Sequence, residues 1–75
     1  MTRPQVYLKG IYRHYKGPFY QVYRVSQHTE RDERLVVYRS LAKNEYWARP
    51  IDMFCDTVKI NGIDIQRFEL IRVPI

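Results

Sequence analysis

The sequence predicts a mostly β fold: a small, single-domain SH3-like barrel of about five or six short strands with at most a 3₁₀ turn. Three observations carry this. Tyr, Val and Ile recur in short runs broken by turn residues. No segment shows the apolar stripe of an amphipathic helix. Asn61-Gly62 is a strong two-residue hairpin signal, because both central positions of a type I′ turn require positive φ. With 75 residues the chain makes one domain, residues 1–75, near the lower limit for a self-sufficient core. An oligonucleotide-binding barrel is the second choice, since such folds have longer strands and often a helix between them.

The elements follow in order. Residues 11–16 alternate, with Tyr12, His14 and Lys16 on one face and Ile11, Arg13 and Tyr15 on the other. Gly17-Pro18 turns the chain. Residues 19–26 form a second strand. Its apolar parity shifts between Val22 and Val25, which places a β-bulge near Tyr23 or Arg24. Residues 29–34 are wholly polar and read as an exposed loop. Residues 35–41 are the best strand, and the run Leu35-Val36-Val37 implies burial on both faces. Residues 42–45 turn. Residues 46–49 give a short strand that Pro50 stops. Residues 51–54 read as one 3₁₀ turn inserting Met53 and Phe54 into the core. Residues 55–60 resume a strand, and residues 63–73 return after Asn61-Gly62, with an interruption around residues 64–67. Residues 1–5 read as loose.

Charge is unevenly placed. Residues 1–29 carry Arg3, Lys9, Arg13, Lys16 and Arg24 with no acid, so the formal excess of +5 belongs to them. The same segment holds Tyr7, Tyr12, Tyr15, Phe19, Tyr20 and Tyr23. Cations interleaved with flat rings suit an anionic, stackable ligand. The plainer reading is a small sheet that packs with Tyr and stays soluble with Lys and Arg.

Several functions are disfavoured. Cys55 is the lone cysteine, so no internal disulfide forms, and with His14 and His28 it makes no closed zinc set. No apolar run approaches the roughly 20 residues that span a bilayer, and the first ten lack a signal-peptide core. These features fit a cytoplasmic protein with no membrane partner. Ser26 and Ser40 lie in no nucleophile motif. Asp52 and Asp56 are a carboxylate pair without a pocket. Gly10, Gly17 and Gly62 form no phosphate-cradling loop. The expectation is a non-enzyme without metal or cofactor.

Five strings act together: Gly10-Ile-Tyr-Arg-His-Tyr-Lys-Gly17, Tyr20-x-Val22, His28-Thr-Glu30, Val36-Val-Tyr38, and Trp47-Ala-Arg-Pro50 followed by Met53-Phe54. In combination they closely resemble a family of short bacterial proteins, domain of unknown function family 1653, over roughly residues 10–68. The family's middle loop often reads His-Ser-Glu-Thr, whereas here it reads His28-Thr-Glu-Arg31. The resemblance implies a compact β-rich module, found alone or attached to other domains. It implies no activity.

The candidate ligand-binding residues are Tyr12, His14, Lys16, Tyr20, His28, Glu30, Tyr38, Trp47 and Arg49. Tyr12, His14 and Lys16 would bring a ring, an imidazole and an ammonium to one ligand, with phosphate or carboxylate as the target. The plainer alternative is a His14 bonded to a carbonyl and a solvated Lys16. His28-Thr29-Glu30 resembles the His-x-Glu of zinc deaminases but lacks their Pro-Cys-x-x-Cys. Its residues either satisfy loop donors or reach over the barrel mouth. Trp47 and Arg49 share a strand face. There Arg49 stacks or forks onto an oxyanion, or else pairs with Glu45 or Asp52. The expected partner is a nucleotide or nucleic acid. Alternatives are an extended peptide in SH3-type slots, or a second copy in a structural homodimer.

Overall fold

The computed structural model describes residues 5–74, so most of the segment read as loose lies outside the described residues. Seven strands and one helical turn are found among them. They are β1 (Ile11–His14), β2 (Phe19–Gln27), β3 (Arg34–Ser40), β4 (Tyr46–Pro50), α1 (Ile51–Phe54), β5 (Thr57–Ile60), β6 (Ile63–Gln66) and β7 (Phe68–Arg72). An antiparallel sheet runs β4-β3-β2-β1-β7, and β5-β6 form a separate hairpin.

The bulge falls where the parity shift puts it. Val22 pairs with Tyr38 and Arg24 with Val37, leaving Tyr23 as the extra residue. The hairpin also forms as read: Ile60 pairs with Ile63 across Asn61 and Gly62, with φ of 51° and 80°. Strand β1 is shorter than the alternation suggested. Its Gly17 N–H bonds the His14 carbonyl at 2.8 Å and Gly17 takes a φ of 116°, so Lys16 lies in the turn and not on the strand face.

The strand count exceeds the expected five or six because the return segment breaks at Arg67. There the backbone leaves the ladder: the Arg67 N–H bonds the Asp56 carbonyl at 3.1 Å and its own carbonyl takes the Tyr15 N–H at 2.9 Å. The turn at residues 51–54 is α-helical and not 3₁₀, since the Cys55 N–H reaches the Ile51 carbonyl four residues back at 3.0 Å. It buries Ile51 and Phe54, three apart on one side, while Met53 is 53 % exposed. Cys55 precedes β5 and packs half-buried against the core. Of the run Leu35-Val36-Val37 only Val36 is fully buried; its neighbours are half-buried.

The core is Tyr12, Val22, Val36, Tyr38, Ile51, Phe54 and Phe68. Its strand members share the inner sheet face, where α1 packs against β3 and β4.

Candidate ligand-binding face

Register fixes which side chains meet. Tyr12 lies opposite Tyr20, Val22 opposite Tyr38, Tyr38 opposite Trp47, Val36 opposite Arg49 and His14 opposite Phe68. Directly paired residues share a face, so Tyr12, His14, Tyr20, Tyr38, Trp47 and Arg49 all belong to the inner one.

Phe54 seals part of that face. Its ring stacks on Phe68 with centroids 4.1 Å apart and meets Tyr12 and Tyr38 edge-on at 5.2 and 5.3 Å. Phe68 in turn meets His14 at 4.9 Å, Tyr38 at 5.4 Å and Tyr20 at 5.7 Å, each edge-on. Offset and edge contacts are the favoured geometry of ring quadrupoles. His14, Tyr20 and Arg49 stay half-buried, and Trp47 is 51 % exposed on the edge strand.

Arg49 is held in place. Its Nε donates to the Tyr38 hydroxyl at 3.3 Å, and its guanidinium lies 5.6 Å over the Phe68 ring. Neither salt bridge found among the described residues involves it, so the alternative pairing with Glu45 or Asp52 is not made. Arg67 is committed instead, its Nε 2.6 Å from Asp56. Partial burial pushes His14 below its usual value, and the positive charges of Arg49, Arg67 and Lys16 push it further the same way.

Residues 10–70 match the family described as Protein of unknown function (DUF1653). The chain belongs to this family. The crystal structure of a DUF1653 protein from Bordetella bronchiseptica is similar over 97 % of both chains, with a TM-score of 0.80 and 28 % identity. No curated protein matches the chain.

This DUF1653 chain does not bring all the sequence candidates together. Tyr12 and Tyr38 are buried and form the floor; the Tyr12 hydroxyl accepts the Tyr7 N–H at 3.0 Å. Lys16 sits at the rim, its N–H bonded to His14 Nδ1 at 3.2 Å and its ammonium 5.7 Å from the Tyr15 ring centroid. His28 and Glu30 lie beyond the far end of β2, roughly 25 Å from Tyr20 at the usual rise per residue. There His28 Nδ1 accepts the Glu30 N–H at 3.1 Å, which closes the loop. Phe54 and Phe68 pack directly into this face but are not among the sequence candidates. Only the long-range pairing of β7 with β1 brings Phe68 there. Among the described residues no group of three or more His, Cys, Asp or Glu could hold a metal ion, and no helix is long and apolar enough to cross a membrane.

Proposed function

We propose that the protein is a non-catalytic binding module whose inner face takes an anionic, ring-bearing ligand, a nucleotide or a nucleic-acid residue. The observation that carries this is Arg49. It is a cation without a carboxylate partner, fixed over an aromatic floor and flanked by half-buried His14 and exposed Trp47. Bonding Tyr38 uses one of its five donors and leaves a fork for phosphate. Trp47 and Tyr20 offer rings for the base. We read the fold more finely as an SH3-like barrel; the bulge at Tyr23 and the helical turn before the last three strands support that reading. A reducing cytoplasm suits the single free thiol.

Trp47 is the sole tryptophan, so its emission reports on the face directly. Nucleoside monophosphates should quench it at low salt. Arg49→Gln should weaken the effect at least tenfold, with a gap that narrows as salt rises. Absence of quenching by every common nucleoside monophosphate would refute the reading. One observation favours a second reading, an extended peptide. Strand β4 is a sheet edge carrying exposed Tyr46 and Trp47, open to strand addition. Peptide affinity would then change little with salt.

A further inference from the structure

The outer face of the five-stranded sheet carries more free charge than the inner one. One continuous row crosses it, Tyr46–Arg39–Gln21–Ile11–Arg72, each residue registered on the next. Five strands at about 4.8 Å spacing give this row a span of roughly 19 Å. Arg13 belongs to the same face, opposite Phe19 and Glu69. The bulge turns Tyr23 and Arg24 outward together. Lys9 reaches over from the preceding turn. Its ammonium lies 4.7 Å from the Tyr23 ring centroid, and the Arg24 guanidinium lies 5.1 Å from the same centroid.

The face thus holds Lys9, Arg13, Arg24, Arg39 and Arg72 against one carboxylate, Glu69. None of these cations is in either salt bridge found among the described residues. Exposed rings lie between them: Tyr23 at 42 % and Tyr46 at 57 %, edge-on at 5.7 Å, and Phe19 opposite Arg13. Lys9, Gln21 and Arg72 also line a shallow cleft of about 300 Å³. Most of the unbalanced charge in residues 1–29 therefore lies on the side opposite Arg49.

We propose that this outer face is a docking surface for the phosphodiester backbone of a single-stranded nucleic acid, distinct from the inner site. Charge complementarity selects a polyanion. The rings select a strand with unstacked bases over an acidic protein, because each base presents a π-face to Tyr23 or Tyr46. A sheet face with cations around its rings holds the backbone without reading sequence. Gln21 supports the frame, its Nε2 bonded to the Lys9 carbonyl at 3.0 Å.

The test measures binding of a fluorescein-labelled 20-mer of thymidylate by anisotropy across a salt series. Lys9→Gln/Arg24→Gln/Arg72→Gln removes three exposed cations and should leave the melting temperature unchanged. It should weaken binding at least tenfold at low salt and flatten the log–log salt slope by about 2, at ~0.7 per lost phosphate contact. Tyr23→Ser should weaken binding a further several-fold without changing the slope. The triple variant should leave nucleotide quenching of Trp47 intact, whereas Arg49→Gln should do the reverse, so the two surfaces fail separately. Unchanged affinity in the triple variant overturns the proposal. So does polyglutamate of equal charge competing as well as the oligonucleotide, which would mark an acidic-protein surface instead.

Discussion

Phe54→Ala tests the packing on which the inner face stands. Phe54 is 1 % exposed, stacked on Phe68 and edge-on to Tyr12 and Tyr38. Truncating a buried Phe to Ala costs about 3–5 kcal/mol, the lost transfer energy plus the cavity left behind. A chain of 75 residues has a total stability of roughly 4–11 kcal/mol at ~0.05–0.15 kcal/mol per residue. The variant thus loses roughly a quarter of its stability or more. At about 4–8 °C per kcal/mol for a domain this size, the melting temperature should fall by roughly 12–40 °C. Met53→Ala, in the same helical turn, removes an exposed side chain and should cost no more than about 0.5 kcal/mol. Thermal melts followed by circular dichroism measure both. Equal losses, or a Phe54→Ala loss under about 1 kcal/mol, would refute the argument that Phe54 is the plug of this core.

Two further outcomes follow from local geometry. Gly62 sits at φ 80° in the β5–β6 turn, so Gly62→Val should cost about 1 kcal/mol or more, since a β-branched residue resists positive φ; an unchanged denaturation midpoint would contradict the turn. His14 is held below its unfolded value by partial burial and by Arg49, Arg67 and Lys16, so the unfolded chain takes up its proton first as pH falls. Stability should therefore be level above about pH 7 and decline on acidification through the unfolded value near 6.5 towards the lower folded one. His14→Gln should remove that decline, and parallel wild-type and variant curves would show that His14 is not the group responsible.

Local signals in the sequence were dependable where one short segment decides the outcome. Asn61-Gly62 specifies its own turn, and the parity shift from Val22 to Val25 locates the bulge, because side chains must alternate on a pleated strand. That Trp47 and Arg49 share a face was legible for the same reason. Burial was less legible, because it depends on neighbours far along the chain. Trp47 is exposed because β4 is an edge, and Met53 is exposed because an α turn directs residues 51 and 54 inward. The role of Phe68 follows from its pairing with His14, which no local pattern announces. Charge was legible in amount and only in part in direction: alternation already set Arg13 apart from Tyr12 and His14, whereas the outward turn of Arg24 depends on the bulge.

The pairing of β1 with β7 sets an order of assembly. Tyr12 and Leu70 are partners across almost the entire chain, whereas Arg13 meets Phe19 across one turn. Loop-closure entropy grows as ~(3/2)RT ln n, which makes the β1–β7 contact about 2 kcal/mol costlier to close than the β1–β2 turn. The meander β1-β2-β3-β4 can form by successive short closures, and β7 docks onto it afterwards. Phe68 arrives with β7, so until that strand lands, Arg49 lacks the Phe68 ring beneath it and His14 its edge contact with Phe68. The inner face is thus completed by the last event of folding. Any fluctuation that peels β7 away dismantles that face while leaving β2, β3, β4 and their outward-facing cations in place.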